Sequence, residues 1–116
     1  VSYITVNGAY VQVSDARKKR DVETISNGLD KINNLRGVTF RWNDEDDEDE
    51  RTKTEHGLIA QEVEQVIPEL VNKTNDDDEW RSLNYTGLIP VLIDAVKELK
   101  EQLDDAKAEI QILKAK

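Results

Sequence analysis

Ser14 and the lysines that follow it, Lys18 and Lys19, are the residues of this sequence whose types best fit nucleophilic chemistry. A serine hydroxyl becomes a nucleophile when a neighbouring base removes its proton, and a lysine is that base only in its neutral form. Nearby cations favour the neutral form, and Arg17 and Arg20 flank the two lysines. The segment is therefore a candidate Ser–Lys dyad.

The spacing restricts how either lysine can reach the serine. On a helix, a separation of five residues places Ser14 and Lys19 about 140° apart, and on a strand an odd separation places them on opposite faces. Lys19 would therefore need a turn or a contact between two chains, whereas Lys18 would face Ser14 directly on a helix. Both lysines stay open at this point, as does the alternative that Ser14 only caps a turn beside a solvated basic run.

Three other groups of residues carry weaker chemistry. The acidic run Asp44–Glu50 offers oxygen ligands to Mg²⁺ or Ca²⁺, but it lacks the ligand spacing and the glycine of a calcium-binding loop. His56 is the single histidine, which leaves it at most an accessory role beside a nucleophile. Gln61 and Glu62 are typical helix-surface residues, and Glu62 has no second carboxylate at a spacing that glycoside chemistry requires. We expect no metal site and no cofactor.

Composition excludes several classes of function. The chain has 116 residues, no Cys and no Met, with 35% charged and 5% aromatic residues. Without Cys it has no disulfide framework, thiol nucleophile or Cys-based zinc site, and no apolar run is long enough for a transmembrane helix. The net charge of −9 disfavours binding to nucleic acid, so we expect neither a nucleic-acid nor a membrane partner. The absent Met indicates a fragment of a longer chain, and so few apolar residues favour oligomerisation.

The first part of the chain has strand and helix patterns. Asn7-Gly8 lies between two runs of β-branched and aromatic residues and predicts a hairpin over residues 1–13. Apolar residues at spacings of three and four predict a helix over Val22–Leu35, with Asp21 as its N-cap. Gly28 lies inside that helix at a cost of about 1 kcal/mol relative to Ala.

The middle of the chain alternates between the same two patterns. Period-two alternation predicts a strand over Val38–Trp42. A short amphipathic helix follows over residues 58–67, ended by Pro68. A second hairpin is predicted within residues 69–85, around a polar turn. The whole pattern indicates an α+β fold, a small domain of mixed helices and short strands.

The C-terminal segment is the most regular. Its apolar residues alternate at spacings of three and four, which is a heptad repeat and implies a left-handed supercoil of two or more helices. The alternative is an amphipathic helix on its own domain, but the preceding residues are too few to cover the part beyond Leu103. Glu109 could pair with Lys114 of a neighbouring chain. The a and d positions are Ile89, Leu92, Val96, Leu99, Leu103, Ala106, Ile110 and Leu113.

Several motifs resemble those of a known family, in the same order. Residues 14–19 read S-D-A-R-K-K and are similar to the S-D-x-R-x-K signature of the intramolecular chaperone domain at the C-terminus of phage tailspikes and tail fibres. The endosialidase chaperone is the type case, and a related self-cleaving domain occurs in myelin regulatory factor. Residues 35–42, 57–63 and 67–71 are similar to the family segments L-x-P-V-x-F-x-W, G-x-I-A-Q-E-V and P-E-L-V. The resemblance covers residues 14–116.

The resemblance implies an activity and its residues. Such domains form homotrimers, assist folding of the fibre ahead of them and then release themselves by autoproteolysis. Ser14 is implied as the nucleophile and Lys19, rather than Lys18, as its base, with cleavage of the bond between Val13 and Ser14. Asp15 and Arg17 would orient the loop, and further support is assigned to His56, Gln61 and Glu62.

The same resemblance implies how the chain is divided and where it acts. Residues 1–13 would be the end of the delivered fibre, and residues 14–116 the chaperone domain, with its coiled-coil helix over 88–116. The partners would be two further copies and the preceding fibre domain, in the host cytoplasm during virion assembly, before the chaperone is released. Two alternatives stay open: a non-catalytic trimerisation module, and a cation-dependent binding module that uses Asp44–Glu50.

Overall fold

Short helices and strands lead into one long helix. The structure is a computed structural model that describes residues 2–43 and 53–116, so the acidic run lies outside the described residues. The α+β expectation is confirmed. In chain order the elements are β1 (Ser2–Ile4), β2 (Tyr10–Gln12), a 3-10 turn (Ala16–Lys18), α1 (Gly28–Asn33), β3 (Val38–Phe40), β4 (Glu55–Gly57), α2 (Ala60–Glu64), a 3-10 turn (Pro68–Leu70), β5 (Val71–Lys73), β6 (Arg81–Leu83), a 3-10 turn (Tyr85–Gly87) and α3 (Leu88–Lys114).

The described strands form three separate antiparallel pairs, β1 with β2, β3 with β4 and β5 with β6. In the first pair Ile4 lies opposite Tyr10, and the turn between the strands places Gly8 at a φ of 86°, which favours glycine. In the last pair Val71 lies opposite Leu83. Both hairpins that the sequence predicts are therefore confirmed.

The core is small and lies where α2 meets the first turns of α3. Val63 of α2 is 1% exposed, and the other buried apolar side chains come from the segment after α2 and from the first turns of α3. Partly buried residues of α1 and β6 pack against this cluster. The buried apolar residues are Val63, Ile67, Leu70, Leu88, Val91 and Ala95. A core of this size agrees with the low apolar content of the sequence.

The N-terminus of α1 is attached to α3 through a very close backbone approach. The Gly28 N–H donates to Asp94 Oδ2 at 2.7 Å, and the Leu29 N–H donates to Glu98 Oε2 at 3.2 Å. The two carboxylates thus satisfy N–H groups that have no partner within α1, and their charge suits the positive end of a helix. A Cβ at Gly28 would lie 2.7 Å from the carbonyl oxygen of Val91, so the contact requires glycine.

The predicted helix over Val22–Leu35 is wrong in its first half, because only Gly28–Asn33 is helical. Asp21 is not its N-cap: it has a φ of 55°, and the N-cap is Asn27, with a φ of 60°. The helix begins at Gly28, and its first two N–H groups, those of Gly28 and Leu29, donate to carboxylates of α3. Tertiary contact therefore sets the start, and Gly28 is the first residue of the helix rather than an interior one.

Two boundaries in the middle of the chain also differ from prediction. The helix predicted over residues 58–67 is shorter, since α2 ends at Glu64 and Pro68 begins a 3-10 turn instead of ending the helix. The strand β4 was not predicted, because Glu55, His56 and Gly57 include no β-branched residue. Its partner β3 supplies the strand pattern, so pairing rather than propensity forms β4.

The helix α3 has two apolar faces with different surroundings. Over its first turns, Leu88, Val91 and Ala95 are buried against the rest of the domain. The predicted helix is confirmed, and at 1.5 Å per residue its 27 residues extend about 40 Å. The large a and d side chains from Ile89 to Leu113 are 45–67% exposed. Among the described residues, no helix has the length and apolarity that crossing a membrane requires.

The contact between α1 and α3 gives a matched pair of glycine substitutions. We expect Gly28→Ala to lower the free energy of unfolding by about 1–3 kcal/mol, because the new methyl group overlaps Asp94 and the α3 backbone. Gly37→Ala is the control, since a Cβ there meets nothing within 4 Å and should change stability by less than about 0.5 kcal/mol. Urea unfolding of both variants at one protein concentration measures the difference. Equal midpoints would show that α1 does not pack on α3.

Candidate functional site

A 3-10 turn brings Ser14 and Lys19 together within one chain. The turn covers Ala16–Lys18, and Lys19 Nζ donates a hydrogen bond to Ser14 Oγ at 2.7 Å. The backbone closes the turn through two hydrogen bonds, from the Lys18 N–H to the Asp15 carbonyl at 3.0 Å and from the Lys19 N–H to the Ala16 carbonyl at 3.1 Å. The five-residue spacing is thus bridged by a turn, one of the two arrangements that the sequence allowed.

Asp15 and Arg17 hold this turn by a local clamp. Asp15 is the N-cap, and its Oδ1 accepts the Arg17 N–H at 2.9 Å. The Arg17 guanidinium also donates to both carboxylate oxygens, from Nε to Oδ1 at 3.1 Å and from Nη2 to Oδ2 at 2.8 Å. The hydrogen bond from the Arg17 side chain lowers the pKa of Asp15, so the carboxylate stays ionised and keeps its bonds. A charge-assisted, two-pronged pair of this kind fixes direction as well as distance.

The site is open to water in the single chain. Residues 12–20 are all exposed, and Val13, whose carbonyl would be attacked, has 47% of its surface exposed. Burial is one of the influences that favour a neutral lysine, and the single chain does not supply it at Lys19. The hydrogen bond shows that Lys19 Nζ reaches Ser14 Oγ, while the single chain does not bury the pair as an active Ser–Lys dyad would require.

The three residues with predicted supporting roles lie on other elements. His56 is an exposed residue of β4, opposite Thr39 of β3. Glu62, on α2, accepts hydrogen bonds from Arg36 Nε at 3.1 Å and Nη2 at 2.6 Å. These hydrogen bonds lower the pKa of Glu62 and hold α2 to the chain before β3. Gln61 is exposed on the same helix.

No hydrogen bond or ion pair among residues 2–43 and 53–116 connects His56, Gln61 or Glu62 to Ser14 or Lys19. Their supporting roles stay predictions. Over the same residues, no group of three or more His, Asp or Glu side chains has an arrangement that could hold a metal ion.

Sequence reasoning missed two side chains that position the surrounding elements. The hydroxyl of Tyr85 accepts the Leu58 N–H at 3.0 Å and so anchors the start of α2 to the turn before α3. A Cβ at Gly57 would lie 2.7 Å from that hydroxyl, which explains the glycine there. Arg36, the partner of Glu62, was also missed. Tyr85 ends the segment predicted as a second hairpin, but nothing in a single sequence assigns a contact partner to it or to Arg36.

Comparison with known proteins finds one family and several similar tail fibre proteins. Residues 14–72 match the family described as chaperone of endosialidase, a match that begins at Ser14. The chain is 37% identical over 95 residues to the long tail fiber protein Gp37 of Escherichia phage AR1, covering 80% of this chain and 8% of that protein. It is 36% identical over 110 residues to Gp37 of Salmonella phage S16, covering 86% of this chain and 15% of that protein.

A third long tail fiber protein Gp37, from Enterobacteria phage K3, is 32% identical over 112 residues, covering 94% of this chain and 9% of that protein. The chain thus spans less than a sixth of the length of each of these three relatives. The family match covers just over half of the chain, and the relatives extend the similarity through α3. This chain belongs to the chaperone of endosialidase family.

Proposed function

We propose that this domain is an intramolecular chaperone of a phage tail fibre, which trimerises, assists folding of the fibre ahead of it and then cuts itself off between Val13 and Ser14. Family membership and the tail-fibre relatives support the chaperone role. The hydrogen bond between Lys19 Nζ and Ser14 Oγ is the observation that carries the self-cleavage. Residues 1–13 stay with the fibre, and residues 14–116 are released.

The proposed reaction uses only groups of this chain and one water molecule. Neutral Lys19 takes the proton of the Ser14 hydroxyl, and Oγ attacks the carbonyl carbon of Val13. The bond from that carbon to the Ser14 nitrogen breaks, and Lys19 returns the proton to the departing nitrogen, leaving an ester between Val13 and Ser14 Oγ. Water hydrolyses the ester, which gives a Val13 carboxylate and restores the serine hydroxyl.

The exposed stripe on α3 supports association through this helix. The part of α3 beyond Glu98 is exposed on all sides, although its a and d residues are mainly large and apolar. An apolar stripe in heptad spacing is covered when identical helices supercoil. The choice of three chains rests on the family resemblance, because the a and d residues alone do not decide the number.

Assembly also supplies a reason for the timing of cleavage. Ser14 and Lys19 are in contact but exposed in the single chain. In the proposed mechanism, packing of three copies excludes water from the dyad and so favours the neutral base. A fibre that has not assembled would keep its chaperone, and one that has assembled would lose it.

A non-catalytic trimerisation module is the competing function, and the open, solvated dyad is the observation that favours it. Both functions need the coiled coil, so they give the same oligomer. They differ in one respect, which is whether the chain loses its first 13 residues.

The first prediction concerns that loss. The chain of 116 residues should yield a product that begins at Ser14, while Ser14→Ala and Lys19→Ala should keep the full mass, because each removes one half of the dyad. Lys18→Ala is the matched control for Lys19→Ala and should be cleaved like the unmodified chain. Intact-mass spectrometry measures all four proteins. If cleavage survives Lys19→Ala but not Lys18→Ala, the base is assigned wrongly. If all four proteins keep the full mass although the unmodified chain sediments as a trimer, the non-catalytic function is correct.

The second prediction concerns the clamp. Asp15→Ala removes the N-cap and the partner of Arg17, so the turn loses the contacts that aim Lys19 at Ser14. We expect cleavage to slow by about tenfold to a hundredfold, the usual cost of a small misplacement of reacting groups. The rate is measured by mass spectrometry over time, and sedimentation should give an unchanged oligomer. Glu23→Ala, which removes an exposed acidic side chain nearby but outside the clamp, should leave the rate unchanged. Equal rates for both variants would show that the clamp does not position the base.

The third prediction concerns the coiled coil. Ala106 is at a d position and Ala108 at an f position, and both are exposed in the single chain. Ala106→Asp should abolish the trimer because it would bury a carboxylate from each chain, whereas Ala108→Asp should leave the trimer intact. Sedimentation equilibrium measures the mass of each. Identical masses for the two variants would exclude the predicted heptad register.

A further inference from the structure

The charged residues beside the apolar stripe of α3 differ from one heptad to the next. The e positions that follow Ile93 are Lys100, Lys107 and Lys114. In a parallel supercoil, an e residue of one helix lies near the g residue five positions earlier on its neighbour. These g residues are Ala95, Gln102 and Glu109. The three lysines would therefore meet an apolar, a neutral polar and an acidic residue in turn.

Within the single chain, the lysines at the e positions also differ in whether they already have an acidic partner. Lys100 Nζ lies 2.7 Å from Asp104 Oδ2 of its own helix, and its g residue Ala95 is buried against the domain. Glu109 and Lys114 form no ion pair or hydrogen bond with the described residues of their own chain. Both side chains are exposed. Lys100 is thus already paired, while Glu109 and Lys114 keep their charges available for a second chain.

The same charges disfavour the antiparallel arrangement. In an antiparallel pair of helices, e positions face e positions and g positions face g positions. Lys100 would then lie near Lys114 of the neighbour, and Lys107 near its own copy, which brings like charges together along the side of the contact formed by the e positions. A parallel pair in register replaces these contacts by Lys114 with Glu109, and it keeps every apolar a and d residue opposite its own copy.

We infer that ion pairs between Glu109 of one copy and Lys114 of the next fix the copies of α3 parallel and in register. The partner at this end of α3 is a second copy of this chain, and the inference rests on the proposed trimer. The last two heptads set orientation, while the first two are attached to the domain. The aliphatic part of Lys114 also covers the apolar stripe beside Leu113.

Charge reversal tests the pair at low ionic strength, where exposed pairs are strongest. Glu109→Lys and Lys114→Glu should each raise the dissociation constant of the oligomer by about tenfold, since every pair becomes a like-charge contact. The double variant with both changes should restore the original value. Lys107→Glu is the matched control, because it reverses the same charge beside the neutral Gln102 and should change the constant less than twofold. Sedimentation equilibrium measures all four proteins.

Orientation needs a separate measurement, which the absence of Cys in the chain makes simple. With Leu113→Cys, mild oxidation should link two chains within minutes if the helices are parallel and in register, because d residues then meet their own copies. In the antiparallel arrangement described above, the two cysteines lie about 18 Å apart along the helix axis and give no link.

The outcomes separate this inference from the proposed function. If the unmodified chain is a trimer and is cleaved, but the double variant does not restore association or Leu113→Cys does not crosslink, the inference alone is overturned. If the unmodified chain sediments as a monomer, the proposed trimer fails and the inference fails with it. Restoration by the double variant together with the crosslink supports the inference.

Discussion

The helix α3 has more apolar surface than one copy of the domain buries, and this excess is the main constraint on the structure. Its first turns are buried on one side by Leu88, Val91 and Ala95 against a small core. The stripe that begins at Ile89 stays in water along the full length of the helix. A domain with so few buried side chains gains stability from whatever covers this stripe. The proposed association through α3 would cover this stripe, and so it would stabilise the domain as well as serve its proposed function.

The candidate Ser–Lys dyad lies outside that core. Ser14 and Lys19 lie on an exposed turn that, among the residues the structure describes, is held by local contacts, the backbone bonds of the turn and the clamp between Asp15 and Arg17. A site built in this way can form in a single chain before assembly. It has the reach for acyl transfer but lacks the low-water surroundings that favour a neutral base. The proposal that cleavage follows assembly accounts both for the contact between Ser14 and Lys19 in the single chain and for their exposure to water there.

The sequence predicted elements with strong local patterns and missed those made by tertiary contact. The heptad spacing predicted the helix α3, and the turn dipeptide Asn7-Gly8 between two strand-forming runs predicted the first hairpin. The structure contains both. The start of α1 was misplaced because it depends on carboxylates from α3, which no local pattern encodes. For the site, spacing showed that Lys19 needs a turn or a contact between two chains, but only the family signature favoured Lys19 over Lys18. The role of Tyr85 was missed since its partner is a distant backbone N–H.

The central claim is that assembly through α3 switches on the dyad at the other end of the chain. The most direct measurement is the intact mass of Ala106→Asp beside that of Ala108→Asp, each after the same incubation. The account predicts that Ala106→Asp, unable to form the coiled coil, keeps residues 1–13, while Ala108→Asp loses them. A protein with Ala106→Asp that sediments as a monomer and still begins at Ser14 would contradict the account, because its dyad would then act without assembly.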